Sequence, residues 1–145
     1  MRLPQYVTVE EVKKVCKALG VRDWSAPPTG EVLPEEAKVI LAEVNVEGMD
    51  IRLEGFRRGL EVELEHGTRF SDANVTNNHP ILTGKIVLAH LKESLDYYER
   101  LEVAEIEGDL LKAIRSRNLG KIEEKYRALV KAQAALNQAV AEQLG

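Results

Sequence analysis

Apolar side chains recur at intervals of three and four residues along most of this chain, as expected of amphipathic α-helices. The first such stripe contains Val12, Val15, Cys16 and Leu19. Thr8 is placed to cap the N-terminus of this helix, and Gly20 is placed to end it. We therefore predict a helix over residues 9–19, with Cys16 buried in its apolar stripe.

The next segment contains a loop and a stretch that fits two structures. Pro27-Pro28 forbids a continuous helix, and we expect Trp24 to anchor this loop onto the core. Pro34, followed by two glutamates, is typical of the first turn of a helix. Residues 43–46, however, alternate polar and apolar as a strand would. Both structures stay open for residues 34–46, and the helix is favoured.

The central stretch Phe56–Leu101 predicts two helices joined by a polar loop. Leu53, Phe56, Leu60 and Leu64 fall within a narrow arc at about 100° per residue. On that wheel Glu61 and Glu65 face solvent, whereas Glu63 lies near the apolar arc. Residues 67–78 are rich in Gly, Ser, Asp, Asn and Thr, which favours a loop. Asn78 is the candidate cap of a second helix, predicted from Pro80 to Leu101.

The apolar period continues to a break at Asn118-Leu119-Gly120, and a last helix follows. The stripe of this helix alternates four- and three-residue steps and contains Ile122, Tyr126, Leu129, Gln133, Leu136 and Val140. Such spacing is typical of coiled coils and predicts packing on another helix, in this chain or in a second copy. The fold class predicted is all-α: a helical bundle built on a central helical hairpin with a long C-terminal helical extension. We expect a helical core domain at residues 1–104, with an insertion at 27–50, and the extension at 105–145.

Composition and charge narrow the function classes. The chain has 145 residues and a net charge of −4, which argues against general nucleic-acid binding. Residues 109–131 contain seven basic and three acidic residues, a net +4, so the remainder carries −8. This basic segment is either a solvated helical face or an electrostatic docking surface for an acidic region of another copy.

The lone cysteine excludes an intrachain disulfide and a multi-cysteine zinc site. The sequence has neither a signal-peptide pattern nor an apolar stretch of membrane-spanning length. We therefore expect no membrane association and a cytoplasmic location.

Glutamates and histidines of the central stretch form the candidate site. Glu63 and His66 have the i, i+3 spacing that places a carboxylate and an imidazole on one helix face, as in di-iron bundles. His90 and Glu93 could supply further ligands, so the four residues are candidates for an iron or zinc site. A plain antiparallel hairpin, however, sets His90 about 15 Å beyond His66 at helical rise. Structural pairing of Glu with His is therefore favoured over metal binding. No catalytic residue is assigned, because Ser71, Ser94 and Cys16 lack a neighbouring base at recognisable spacing.

Several motifs resemble those of a known family. They are TVEEVKKVCKALGV followed by DWS, then FRRGLEVELEHGTR, NVTNNHPILTGKIVLAHLKE and DYYERL, over residues 8–25 and 53–104. In these segments the chain resembles a small all-helical family of unknown function found in bacteria and phages. The resemblance implies an all-helical fold and, through the phage members, a virion-associated or assembly role with a location in the virion.

From these observations we expect a non-enzymatic structural or interaction protein. It would self-associate or dock on a partner protein through residues 105–145. The alternative is a metal-binding helical protein using Glu63, His66, His90 and Glu93.

Overall fold

The computed structural model describes residues 7–26 and 31–145, and within these ranges the regular structure is entirely helical. The helices are α1 (Val9–Leu19), α2 (Pro34–Val44), α3 (Leu53–Arg69), α4 (Pro80–Glu93), α5 (Tyr97–Arg115) and α6 (Leu119–Leu144), with a 3-10 turn at Ser71–Ala73. The predicted all-α class and the long C-terminal helix are confirmed. The predicted break at Pro27-Pro28 lies outside the described residues.

Helix α1 has the predicted bounds and both predicted caps. The hydroxyl of Thr8 accepts a hydrogen bond from the backbone N–H of Glu11. Gly20 has a left-handed backbone with φ 69°, a conformation that glycine adopts without steric cost. Cys16 is buried in the apolar stripe, as predicted, and burial raises the pKa of its thiol.

The chain divides into two compact units, residues 1–92 and residues 93–145. In the first unit α2 packs on α3, so the helix alternative for residues 34–46 is confirmed. Trp24 is buried, as predicted for a residue that anchors the loop after α1. The fully buried apolar core includes Val12, Val32, Ile40, Phe56, Leu60 and Val87.

Gly84 allows α4 to approach this core closely. A Cβ atom at this position would lie 2.6 Å from Cγ2 of Ile40 and 3.3 Å from Cγ1 of Val44. Both atoms are branches on a stiff Cβ, so neither can move aside easily. Gly84 therefore fixes how α4 lies against α2.

Helix α4 begins at Pro80 as predicted, but Asn78 is not its cap. Asn78 has a left-handed backbone with φ 59°, and its side-chain oxygen accepts from the amide of Asn74. His79 takes the cap position instead, because its Nδ1 accepts from the backbone N–H of Leu82 at 3.4 Å. A histidine ring can replace an amide here because its unprotonated nitrogen is an acceptor.

The predicted single helix from Pro80 to Leu101 is wrong, because α4 ends at Glu93 and α5 begins at Tyr97. The carboxylate of Asp96 accepts hydrogen bonds from the Ser94 hydroxyl and from the guanidinium of Arg100. Serine and aspartate side chains that bind locally compete with helical hydrogen bonding, which explains the break.

The second unit is a pair of long helices, α5 and α6, packed on each other. The break between them lies at Ser116–Asn118, close to the predicted one, and Asn118 caps α6 by accepting from the N–H of Lys121. Helix α5 is continuous across the predicted domain boundary at residues 104 and 105. That boundary and the predicted insertion at 27–50 stay predictions.

Candidate functional sites

Glu63 lies at the centre of the predicted Glu–His cluster. Its side chain is 14 % exposed, which agrees with the prediction that it is the least solvated of three alternating glutamates. Glu65 is 68 % exposed, as predicted. Glu61, in contrast, does not simply face solvent: its carboxylate accepts from the backbone N–H of Val32 at 3.1 Å and from Arg57 at 2.8 Å. The helical wheel of α3 could not show this contact, because Val32 precedes α2.

Both histidines of the cluster face the carboxylate of Glu63. Nδ1 of His66 lies 3.7 Å from Oε2, and Nε2 of His90 lies 3.6 Å from Oε1. The predicted separation of His90 from this region is therefore wrong. It assumed a plain antiparallel register between α3 and α4, and the short distance between His90 and Glu63 shows that this register does not hold.

The geometry favours ion pairing as the chemistry of this cluster. Each oxygen of Glu63 faces one imidazole nitrogen, so protonated His66 or His90 would neutralise the half-buried carboxylate. The side chains of His66 and His90 are 47 % and 30 % exposed.

Two imidazoles and a carboxylate are also ligands that Zn²⁺ accepts. Within residues 7–26 and 31–145, however, no group of three or more His, Cys, Asp or Glu side chains has the arrangement of a metal site. Glu93, the fourth predicted ligand, is an exposed residue at the end of α4. Metal binding by these four residues stays a prediction.

A second carboxylate cluster in the first unit escaped sequence reasoning. Glu36 is 4 % exposed and accepts hydrogen bonds from the Arg22 guanidinium, from the backbone N–H of Leu33 and from the indole of Trp24. Burial alone would raise the pKa of this carboxyl, but the Arg22 and backbone donors outweigh burial and lower the pKa to about 2. All partners are internal, so the cluster is structural: it ties the loop after α1 to the start of α2. The acidic first turn of α2 gave no sign that one of its two glutamates is buried.

The second unit has an exposed apolar surface. Leu129, Ala132 and Ala139 are the buried residues of α6, whereas Tyr126 is 60 % and Val130 is 51 % exposed. Tyr126, a member of the predicted packing stripe, is therefore not buried within this helix pair, and packing of the stripe on a second copy stays a prediction. The alanines at seven-residue spacing mark the true seam, because small side chains let two helices approach closely.

Helical geometry places the exposed apolar residues of α5 and α6 on one side of the pair. The helices are antiparallel across the short connection at residues 116–118, and Lys125 of α6 pairs with Asp109 of α5 at 3.0 Å. At about 100° per residue, Tyr126 and Val130 lie about 60° to 100° round α6 from Leu129. On α5, Ile114 lies at a similar angle from the buried residue Ala113, and the rotation has the same direction. In two antiparallel helices, equal rotations away from the seam lead to the same side of the pair. We call the surface formed by Ile114, Leu119, Tyr126 and Val130 the apolar face; its members are 52 %, 79 %, 60 % and 51 % exposed.

The opposite flank of the same helix pair has an open cavity of about 450 Å³ with charged walls. It is lined by Asp109, Lys112, Ala113, Ser116, Lys121, Glu124 and Lys125. Lys112 and Lys125 both pair with the carboxylate of Asp109 at 3.0 Å. Because these cations already have an internal anion, the cavity is a poor candidate for an anion site.

Fold and site together define a small all-helical protein with a Glu–His cluster and an exposed apolar helical face. The model of the family described as "Protein of unknown function (DUF5661)" matches residues 12–107, and the chain belongs to this family. The predicted membership of a helical family of unknown function is thereby confirmed. No curated protein and no solved structure matches the chain. No helix within the described residues is long and apolar enough to cross a membrane.

Proposed function

We propose that this protein is a non-enzymatic structural or interaction module that self-associates, or binds a partner protein, through α5 and α6. The observation that carries the proposal is the apolar face. Large exposed apolar patches on a helical surface are typical of protein–protein contacts. Here the bulky side chains lie outside the helix pair, while its seam contains alanines.

A virion-associated or assembly role is the version of this function that the resemblance to phage sequences favours. Structural proteins of virions act through repeated contacts between copies or with other subunits, and an exposed helical face supplies such a contact.

Light scattering of the full chain tests self-association. The monomer mass is 16.2 kDa, and we expect at least twice that mass at micromolar concentration. Two fragments, residues 1–92 and residues 93–145, serve as matched controls, with circular dichroism to establish that each is helical. We expect the second fragment to associate and the first to stay monomeric. A monomeric full chain at all concentrations would contradict self-association and leave a different partner protein as the ligand.

The second candidate function is binding of zinc or iron by Glu63, His66 and His90. The observation that favours it is the approach of both imidazole nitrogens to one carboxylate. Elemental analysis of the purified protein and calorimetric titration with Zn²⁺ test it. Stoichiometric metal that is lost in His90→Ala and kept in Glu65→Ala, a matched change at an exposed glutamate of the same helix, would support this candidate. Equal and weak binding by all three proteins would contradict it.

A further inference from the structure

We propose that His79 is a proton-sensitive cap, which releases the first turn of α4 when its imidazole takes up a proton. This inference goes beyond the proposed function and does not depend on the apolar face, because His79 belongs to the first unit. The connection between α3 and α4 would then respond to mild acid. Three features support the inference: the atom that forms the cap, the burial of the ring and the contacts of the loop before it.

The cap uses the same nitrogen that would bind the proton. Nδ1 of His79 accepts from the backbone N–H of Leu82 at 3.4 Å, and the carbonyl of His79 accepts from the N–H of Thr83 at 2.9 Å. An imidazole nitrogen that accepts a hydrogen bond has no proton, so the proton of the neutral ring is on Nε2. A second proton must therefore bind to Nδ1. Two N–H groups would then face each other, so capping and protonation exclude each other.

Burial opposes a charge on this ring. His79 is 9 % exposed, and burial lowers its pKa below the ordinary value of 6.5. The N-terminus of α4 is also the positive end of the helix dipole, which disfavours a cation there. Among the charged groups of the described residues, Glu11 of α1 acts in the opposite direction, because its carboxylate favours the charged ring. Glu11 pairs with Lys14 at 3.7 Å, which weakens this effect. The capped structure therefore requires the neutral ring.

The loop before His79 is connected to the cap and to the start of α1. The backbone N–H of His79 donates to the carbonyl of Thr76 at 3.0 Å, and the side-chain amide of Asn77 donates to the carbonyl of Val7. Asn77 and Asn78 have left-handed backbones, with φ 49° and 59°. Such a conformation persists only where surrounding contacts hold it. Loss of the cap should therefore loosen this turn and its contact with the residues before α1.

The direction of the pH dependence follows from the lowered pKa of His79. In an opened first turn the ring is in water and binds its proton near pH 6.5, whereas the capped form binds it only at lower pH. The capped form is therefore fully favoured above pH 6.5 and loses stability as the pH falls from 6.5 to its own pKa. Each pH unit in this interval changes the ratio of capped to opened molecules by up to roughly tenfold. Glu36 begins to lose its contribution only below pH 4.5, so the two effects occur in separate pH ranges.

Native-state hydrogen exchange of the full chain tests the release of the first turn. NMR measures the protection of the amides of Leu82 and Thr83, corrected for intrinsic exchange rates. In the wild-type protein this protection should fall roughly threefold to tenfold between about pH 7.5 and about pH 5.5.

His79→Asn is the matched variant, because asparagine caps helices well and does not titrate. A change in packing would alter the protection of its amides at both pH values alike, so the comparison rests on the pH dependence alone. This dependence should stay within roughly twofold in His79→Asn. Equal declines in the two proteins, or no decline in the wild-type protein, would overturn the proposal.

The wild-type ring supplies a measurement that does not depend on the folding of a variant. The NMR signals of His79, assigned through bonds, should titrate at lower pH in the folded protein than in the same chain unfolded in urea. Nitrogen-15 shifts at about pH 7.5 should show a proton on Nε2 and none on Nδ1. A proton on Nδ1 at this pH would overturn the proposal. A folded titration midpoint at or above the midpoint in urea would overturn it as well.

Discussion

Glu36 shows how a single buried charge organises the first unit. Its carboxylate has donors from Arg22, Leu33 and Trp24, which come from the loop after α1 and from the residue before α2. Removing one partner of a buried, hydrogen-bonded charge leaves the other unpaired in a poorly solvated site. Replacing Glu36 by glutamine, which is neutral and has the same shape, therefore tests how much the buried charge contributes to stability.

We expect Glu36→Gln to lower the free energy of unfolding of the first unit by about 3 kcal/mol, because the Arg22 guanidinium loses its counter-ion. Denaturant unfolding followed by Trp24 fluorescence measures this change. Glu35→Gln is the matched control, since Glu35 is exposed in the same helical turn, and it should cost only a few tenths of a kcal/mol through the helix dipole. Similar losses in both variants would contradict a structural role for the buried carboxylate.

The carboxylate of Glu36 should also make the stability of the first unit depend on pH. The folded pKa of Glu36 is about 2 against a reference of 4.5, so the folded state holds this proton more weakly than the unfolded state. Its stabilising contribution is complete above pH 4.5 and is lost as the pH falls to 2. The expected loss is about 3 kcal/mol, at about 1.4 kcal/mol for each pKa unit. Trp24-monitored unfolding between pH 6 and 2 should show the decline, and Glu36→Gln should show a much flatter profile.

Gly84 lies where α4 comes close to the side chains of α2, so the first unit should be sensitive to substitution at this position. Gly84→Ala should destabilise the first unit by about 1–3 kcal/mol, because its Cβ would overlap Ile40. Gly55→Ala is the control, since nothing lies within 4 Å of a Cβ at that helical position. It should be neutral or stabilising by about 0.5–1 kcal/mol. Thermal unfolding of both variants measures the contrast, and a stabilised Gly84→Ala would show that α2 and α4 have room to separate.

At the scale of helices, sequence predicts best where a local signal sets a boundary. Thr8, Gly20 and Asn118 act within a few residues of themselves, and their boundaries agree with the structure. The break before α5 was missed because it depends on Asp96 accepting from Arg100, and the apolar period continues across it. His79 was missed as a cap because asparagine, one residue earlier, is the commoner capping residue.

Asn118 supplies the prediction for helix α6. Asn118→Ala removes the acceptor for the N–H of Lys121 and should lower the free energy of unfolding of the second unit by about 1 kcal/mol. Asn137→Ala, an exposed position inside α6, should instead stabilise slightly, because alanine has the higher helix propensity. Urea unfolding of the 93–145 fragment, followed by circular dichroism, compares the two. Equal effects would mean that the side chain of Asn118 does not act as a cap.

The candidate site could be predicted only in part. Helical phase identified Glu63 as the glutamate nearest the apolar arc of α3, because that depends on one helix alone. The approach of His90 to Glu63 depends on how α3 and α4 lie against each other, and the pattern of either helix alone does not show that. The apolar face depends on packing as well, because the sequence of α6 does not show which of its apolar residues are buried.

At the scale of the whole molecule, the two compact units differ in how much core each can build alone. The first buries Trp24, Phe56 and several branched aliphatic residues, whereas the second buries Tyr98, Leu129 and three alanines. A core of small side chains gains little from removing apolar area from water. We therefore expect the first unit to be stable as a monomer and the second to depend on association.

This difference predicts two unfolding transitions that respond differently to protein concentration. Trp24 is the only tryptophan and lies in the first unit, so its fluorescence reports that unit alone, whereas circular dichroism reports both. If α5 and α6 are stabilised by a second copy, mass action should raise their unfolding temperature by roughly 5 °C for each tenfold increase in concentration. The fluorescence transition should not move, and it serves as the internal control. Val130→Glu should abolish the concentration dependence of the dichroism transition. Val46→Glu, the same change at a residue of the first unit that is 85 % exposed, should retain it. If neither unfolding temperature of the wild-type protein changes with protein concentration, the Ala-rich helix pair is stable without a partner.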